Sequence, residues 1–437
     1  MPCYNRTEKI KEAGAQMYPP ERGCMKTIRF AVCGCGCRGT WLTENVVSKL
    51  PDVTVVGLCD TYEDKAASLS ARLDKNGKGK PPVFTDHNEM FDAVKPDAVL
   101  VATSWTAHVP VSMDAMRRGI ATAMEVGGAY TEKECRDLIR CYEETKTPFM
   151  LMENCCYNRD ELLATALVRN GLFGDVVYCH GCYAHDLREE VAKGDINRHY
   201  RLHEYSTHNC DNYPTHELGP IARLLNITRG NRMCSLTSRS SKALGLHAYV
   251  QDKPELAYLK DRAFTQGDIV ETLITCEGGE LISLRLDTTL PRYYSREFTV
   301  RGTKGMYNQD NDMVMLDNAG FDEFFDTWKT YAINNHNAQN YAEYLPEVWK
   351  HADPQALAAG HGGMDWFEFE AFVDCLREGK PMPIDVYDAA AWMSITYLTE
   401  QSIKANGAPV EIPDFTDGAY KTRTPEDVLP LPHIEKN

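Results

Sequence analysis

The 437-residue sequence predicts an α/β chain. Its N-terminal part reads as a doubly wound parallel sheet, and its C-terminal part as an α+β domain with a mostly antiparallel, open sheet. Three observations carry this. Apolar strand-like runs alternate with helical segments from Thr27 to Glu153, the grammar of a parallel sheet covered on both faces. A glycine turn, Gly34-Cys35-Gly36-Cys37-Arg38-Gly39, joins the first strand to the first helix. After Glu153 strands follow one another without intervening helices, which antiparallel neighbours permit and parallel ones do not.

Taken in order, residues 1–25 are polar, contain three prolines and lack the apolar centre of a secretory leader, so they read as an extension ahead of the first strand. The first strand is TIRFAVC. The glycine turn and a helical stretch, TWLTENVVSKL, lead to a second strand, VTVVGLCD, ending at Asp60. Further strands are expected at Asp97–Thr103, Ile120–Glu125 and Pro148–Glu153, with a helix at Thr131–Thr145 whose start is acidic. This places one domain at 26–153 and a second at 154–437. In the second, a helix at Asp160–Asn170 passes through Gly171 and Gly174 to the alternating strand VVYCHGCYAHD. Strands follow at Ile269–Cys276, Leu281–Asp287 and Glu297–Arg301, with Gly278-Gly279 as a hairpin turn between the first two. Residues 318–363 are rich in Asn, His, Tyr and Trp without periodicity, a length that points to function or an interface. Helical patterns return at Trp366–Glu378 and Asp385–Ala405.

Apolar residues at 43% and charged residues at 25% are ordinary for a globular chain. The net charge of -16 argues against nucleic acid and gives no support for docking on an anionic membrane. No apolar run approaches the ~20 residues that span a bilayer. The 16 cysteines do not fall into a disulfide or zinc spacing. Cys33, Cys35 and Cys37 alternate around a tight turn, and Cys179 and Cys182 fall on opposite faces of a strand. No metal site is expected, and reduced thiols fit a cytoplasmic protein. His199, His203 and His208 read as a solvated, basic segment with no carboxylate fixed beside them.

G-x-G-x-x-G is a weak motif alone. Here it follows a strand, opens a helix and precedes an acidic residue at the end of the next strand, the context of a Rossmann dinucleotide site. Gly34, Gly36 and Gly39 allow the turn and let the backbone approach a pyrophosphate at the helix N-terminus. Asp60 lies about 20 residues beyond Gly39, placed to accept the ribose hydroxyls and to repel a 2′-phosphate. The cofactor expected is NAD. A glycine turn without nucleotide is the alternative.

Several segments resemble the Gfo/Idh/MocA oxidoreductase family, and more closely its NAD-dependent glycosidase branch, glycoside hydrolase family 109. They are Trp105-Thr-Ala-His108, Glu125-Val126, Glu153-Asn154-Cys-Cys-Tyr157, Tyr183-Ala-His185-Asp186-Leu187-Arg188 and Asn212-Tyr213-Pro214-Thr215-His216-Glu-Leu-Gly-Pro220. Further on come Asn226-Ile-Thr-Arg-Gly230, Pro291-Arg-Tyr-Tyr294-Ser295, Arg301-Gly-Thr-Lys-Gly305, Gly360-His-Gly-Gly-Met-Asp365 and Asp385-Val-Tyr-Asp-Ala-Ala-Ala-Trp392. The sugar dehydrogenases of the wider family carry Glu-Lys-Pro where this chain has Glu125-Val126-Gly127, so their lysine is absent. Their aspartate four residues before the histidine is Asn212 here. Glu217 follows His216 where the glycosidase branch commonly has glycine.

The resemblance implies cofactor contacts at Cys37, Arg38, Asp60, Trp105 to His108, Glu125, Val126 and Asn154. It implies substrate contacts at Tyr183, Arg201, Tyr213, Pro214, Thr215, His216 and Tyr294. The chemistry implied is a redox-assisted elimination: transient oxidation at the sugar C3, loss of the C2 proton and the C1 substituent, water addition and re-reduction. Imidazole titrates near 6.5, which suits His216 to exchange the C3 hydroxyl proton. Tyr183 is the candidate near C2, provided neighbours such as Arg201 depress its pKa, and Tyr213 can exchange roles with it. A core histidine and a packed strand tyrosine are the alternatives. Three functions remain open: a glycosidase acting on N-acetylgalactosaminides or related glycosides, a sugar or inositol dehydrogenase that releases NADH, and a non-catalytic NAD-binding sensor. The open second sheet suggests a homo-oligomer.

Overall fold

The computed structural model describes residues 27–317 and 327–434. The N-terminal extension expected at 1–25 lies outside the described residues. Six parallel strands form the first sheet: β1 (Ile28–Cys33), β2 (Val53–Cys59), β3 (Val83–Phe84), β4 (Ala98–Val101), β5 (Ala121–Glu125) and β6 (Phe149–Met152). Their order, β3-β2-β1-β4-β5-β6, reverses between β1 and β4, and ligands bind doubly wound sheets at the carboxyl ends beside such a reversal. Buried on both faces, β4 reads AVLV and β6 reads FMLM with every residue inaccessible.

Five helices connect these strands: α1 (Cys37–Asn45), α2 (Glu63–Lys75), α3 (His87–Val94), α4 (Trp105–Met116) and α5 (Glu132–Thr145). Local chemistry fixes their ends. Asp86 caps α3 by accepting from the Asn88 and Glu89 amides. Thr131 and Glu134 form a reciprocal capping box on α5.

The second sheet has eight strands: β7 (Val176–Ala184), β8 (Met233–Ser240), β9 (Ile269–Cys276), β10 (Leu281–Asp287), β11 (Thr299–Gly302), β12 (Gly305–Asn308), β13 (Met313–Leu316) and β14 (Val410–Glu411). In the order β13-β12-β11-β7-β10-β9-β8-β14, only β7 and β10 run parallel. The turn through Gly278 and Gly279 joins β9 to β10 as expected, pairing Thr275 with Leu281.

The structure departs from the sequence reading in four places. The strands β8, β12, β13 and β14 and the two-residue β3 were not anticipated, because they are short or carry Ser, Thr and Arg on their open face. From Thr327 onward the stretch without periodicity folds into short helical turns, among them Ala338–Tyr344 and Glu347–Lys350. The helix expected at Asp385–Ala405 is two, Val386–Met393 and Ile395–Lys404, with Asp385 as the cap of the first. His203 is exposed, but His208 is half-buried, stacked on Tyr130 at 4.3 Å and 3.0 Å from the Glu400 carboxylate. A carboxylate is thus fixed beside that group after all.

Sequence separates the two sheets, but space joins them. Helix Met364–Glu378 packs on the first sheet, with the Phe372 ring 5.9 Å from that of Phe30, and the Leu151 amide donates to the Ile384 carbonyl. Helix Thr215–Leu224 lies on β7. A side chain at Gly181 would start 2.2 Å from the Glu217 carbonyl oxygen, so glycine is what lets that helix approach. Among the described residues no helix is long and apolar enough to cross a membrane.

Candidate active site

The nucleotide end begins at the glycine turn. Gly34 has φ +95°, and a Cβ there would meet the Ala102 carbonyl oxygen at 2.2 Å. At Gly39 a Cβ would lie 1.9 Å from the Gly34 oxygen. These two glycines interlock the turn, β4 and α1. Gly36 differs: a Cβ there meets nothing within 4 Å. Open space over the middle glycine, at the N-terminus of α1, is what a pyrophosphate needs, and the cradle fits a dinucleotide. Asp60 follows β2, and its carboxylate accepts from the Cys35 and Tyr62 amides at 2.8 and 2.9 Å, which holds it against the turn.

Arg38 sits in the first turn of α1 and gathers a charged network. Its guanidinium donates to Glu125 at 3.0 Å and to both oxygens of Asp365 at 3.0 and 2.8 Å. Asn154 donates to the same Asp365 at 2.7 Å, and His361 Nδ1 lies 2.8 Å from it. Burial pushes the Asp365 carboxyl up, but Arg38 and His361 outweigh it and hold the group far below the usual carboxylate range. Burial raises Glu125, with Arg38 opposing. Val126 is buried beside it. His108 is 3% exposed and bonded to the Thr103 carbonyl, and burial pulls its pKa down to about 4. It braces the loop after β4 as a neutral ring, while Trp105 turns toward the second sheet.

There the aromatic residues converge. The Tyr213 ring stands 4.7 Å from Tyr183, 4.8 Å from His216 and 5.6 Å from Trp105. Tyr294 lies 6.5 Å from Tyr183. The Arg201 guanidinium covers Trp105 and Tyr213 at 5.3 and 5.2 Å and pairs with Glu190 at 3.3 Å. Tyr183 is the last residue but one of β7, Pro214 caps the His216 helix and Thr215 begins it, fully buried. Tyr183, Arg201, Tyr213, His216 and Tyr294 therefore cluster beside Trp105.

His216 Nδ1 lies 2.7 Å from Glu153 Oε1. Burial raises the fully buried Glu153, but the charge and hydrogen bond of His216 outweigh it and leave the carboxyl below its usual range. An ionised Glu153 accepts from Nδ1–H, which leaves His216 Nε2 as the proton acceptor. The ligand atoms of Glu153, Cys155 and His216 lie within 4.8 Å of one another, compact enough to be weighed as a metal group. Glu153 Oε1 already holds the His216 ring and the Cys155 amide, so the arrangement reads as a carboxylate–imidazole pair.

One expectation is corrected. Arg201 does pull the Tyr183 phenol down, but burial is the larger effect and leaves its pKa raised; Tyr213 is raised for the same reason. Neither tyrosine is a ready base by itself. Sequence reasoning also passed over Glu153, Asp365 and His361 as site residues. Glu153 had a usable signal, since it follows the last strand of the parallel sheet directly before Asn154. Asp365 and His361 had none in spacing, because only the packing of helix Met364–Glu378 brings them to Arg38. Glu217 accepts from the Tyr183 and Arg285 amides at 3.1 Å, so this departure from the glycosidase pattern supports β7 from below.

A parallel sheet with a nucleotide cradle, beside an aromatic cluster that holds a carboxylate–imidazole pair, is the architecture of an NAD-binding Rossmann protein. Residues 28–152 match the family model "Oxidoreductase family, NAD-binding Rossmann fold", and residues 157–422 match "Glycosyl hydrolase 109, C-terminal domain". The chain is 36% identical to a glycosyl hydrolase family 109 protein of Stenotrophomonas maltophilia, covering 92% of this chain and 91% of that one. It is 34% identical to an alpha-N-acetylgalactosaminidase of Tannerella forsythia, covering 96% and 92%. The chain belongs to glycosyl hydrolase family 109, and is a glycosidase. Its fold is shared with a myo-inositol 2-dehydrogenase of Lactobacillus plantarum at a TM-score of 0.63 and 15% identity, covering 89% of this chain and 100% of that one. A scyllo-inositol dehydrogenase of Lactobacillus casei, solved with NAD(H) and scyllo-inositol, matches at a TM-score of 0.60 and 14% identity, covering 89% and 99%.

Proposed function

We propose that this enzyme hydrolyses N-acetylgalactosaminides or related glycosides with bound NAD, through transient C3 oxidation, C1–C2 elimination, water addition and re-reduction. The observation that carries the reading is the Glu153–His216 pair set among Tyr183, Tyr213 and Tyr294, with Val126 where the dehydrogenases carry lysine. Gly36, Cys37, Arg38, Asp60, Trp105, Glu125, Val126 and Asn154 would hold the dinucleotide, which supplies the acceptor for the C3 hydrogen and its later donor.

His216 takes the C3 hydroxyl proton on Nε2 and later returns it, while Glu153 steadies the imidazolium. Arg201, Tyr213 and Tyr294 orient the ring. Tyr183 faces the C2 side. No two-carboxylate arrangement across the scissile bond is required. Asp60 favours NAD over NADP. The division at 153/154 separates most of the cofactor-binding residues from the sugar-binding ones in sequence, though Asn154 and Asp365 cross it.

The open face of the second sheet presents exposed Leu273 beside Ser283 and His180, which supports a homo-oligomer. The described cysteines are all free thiols, which supports a cytoplasmic location. The test is a screen of 4-nitrophenyl glycosides, both anomers of each sugar, with absorbance of free NADH followed alongside. Release of nitrophenol from an N-acetylgalactosaminide without NADH in solution is expected. Steady NADH accumulation with the glycosidic bond intact would move the assignment to a dehydrogenase.

A further inference from the structure

The raised pKa of Tyr183 leaves the elimination without an obvious base, and the surroundings of its hydroxyl supply one. Tyr183 Oη lies 3.2 Å from His185 Nδ1. His185 follows the end of β7 directly, two positions beyond Tyr183, and their rings meet edge to face at 5.9 Å. The His185 ring also packs edge-on against Tyr294 at 5.2 Å. It therefore touches two of the tyrosines assigned to the substrate. Its backbone is pinned as well, the His185 amide donating to the Asp287 carbonyl.

We propose that His185 is the proton-accepting partner of Tyr183, so that the tyrosine removes the C2 proton without first becoming a phenolate. This rests on the elimination reading above and names the group that makes its base competent. The C2–H bond breaks and its electron pair becomes the C2–C3 double bond of an enolate, with the charge on O3 opposite protonated His216. The C2 proton arrives on Tyr183 Oη as the tyrosine's own proton passes to His185 Nδ1. The C3 carbonyl re-forms as the enolate pair shifts to C1–C2, and the C1 substituent departs with the electrons of the C1–O bond. Addition of water at C1 regenerates the enolate, and C2 regains its proton by reversal of the same transfers.

The charges around His185 suit this. Burial and Arg201 keep the ring in its neutral form, with His216 acting in the same direction and Glu190 and Asp186 opposing. A neutral ring has one nitrogen free to accept, and Nδ1 faces the phenol. As Tyr183 gives up its proton, the nearby Glu190 and Asp186 carboxylates stabilise the imidazolium formed. His185 touches the reaction only through Tyr183 and is a positioning residue.

The test uses the full chain with bound NAD and 4-nitrophenyl N-acetyl-α-galactosaminide in heavy water, comparing the unaltered enzyme, His185→Asn and Tyr183→Phe. Asparagine offers an acceptor near the place of Nδ1 but cannot take a proton. In His185→Asn, substrate-dependent reduction of the bound cofactor, read at 340 nm, should stay within about threefold. Deuterium at C2 and nitrophenol release should both fall roughly a hundredfold, the usual weight of a general acid–base group, and reduced cofactor should accumulate on the enzyme.

Unchanged C2 exchange in His185→Asn would overturn the proposal. So would an equal loss of cofactor reduction and C2 exchange, since that marks a pocket-shaping role. If the asparagine variant does not fold, His185→Gln carries the same readouts. Absence of C2 deuterium in the unaltered enzyme would instead reject the elimination reading itself.

Discussion

Glu153 Oε1 and His216 Nδ1 stand 2.7 Å apart although they come from different layers, one closing the parallel sheet at the end of β6 and the other opening the helix that lies on the second sheet. Their pairing joins the cofactor side of the molecule to the sugar side. It also fixes the imidazole: an ionised, fully buried carboxylate can only accept, so Nδ1 donates and Nε2 is the nitrogen left to accept.

Glu153→Gln should therefore retain NAD and the fold but lose the tautomer control and the support of the imidazolium. We expect kcat to fall by roughly 10² to 10⁴ with KM little changed. Steady-state kinetics with a matched melting curve checks this. A loss confined to KM would place Glu153 outside the proton path.

The glycine turn separates folding from cofactor binding. Gly36→Ala adds a methyl group where nothing lies within 4 Å, so the NAD-free protein should melt at an unchanged temperature while the stabilisation given by added NAD disappears. Gly39→Ala places its methyl 1.9 Å from the Gly34 oxygen and should destabilise the NAD-free protein itself by about 1–3 kcal/mol. Thermal melts of both variants with and without NAD distinguish the two effects.

Removing the charge of Asp365 should be felt at a distance in sequence. In Asp365→Asn the guanidinium of Arg38 keeps Glu125 but loses its bidentate partner, and Asn154 loses a charged acceptor. Arg38 is about 30% exposed, so solvent softens the loss. We expect about 1–3 kcal/mol of stability and weaker NAD binding. Urea unfolding and calorimetric NAD titration measure the two separately.

His108 predicts a pH effect. Its pKa is pulled down to about 4 by burial, against roughly 6.5 in an unfolded chain. A histidine depressed in the folded state contributes stability that is whole above pH ~6.5 and is lost as pH falls toward ~4, because the unfolded chain binds the proton first. By pH 4.5 the loss should reach about 2–3 kcal/mol. His108→Gln should remove this part of the acid sensitivity, seen as a smaller difference between urea midpoints at pH 7 and pH 4.5.

The parallel half of the molecule was legible because each of its signals is local. The glycine turn, Asp60, the apolar strands and the acidic start of the helix at Thr131–Thr145 all lie within a few residues of what they determine. Along β7 the alternation of faces was legible too, as was the hairpin at Gly278-Gly279. Strands such as β8 were not, since Ser235, Thr237 and Arg239 face away from the core and blunt its apolar pattern. For the site, the motifs named Tyr183, Tyr213 and His216, but proximity gave their chemistry. The pull of burial on the Tyr183 phenol exceeds that of Arg201, and no sequence spacing states that balance. Nor could spacing join Asp365 to Arg38, because that contact depends on how a C-terminal helix seats on the first sheet.

Isotope incorporation tests the central claim most directly. The enzyme, pre-exchanged in heavy water, is given an N-acetylgalactosaminide, and the released sugar is read by proton NMR and mass while free NADH is followed by absorbance. The account predicts one deuterium at C2 of the released sugar, with no NADH appearing in solution and catalytic amounts of NAD sufficing. Cleavage that leaves C2 fully protonated would contradict it.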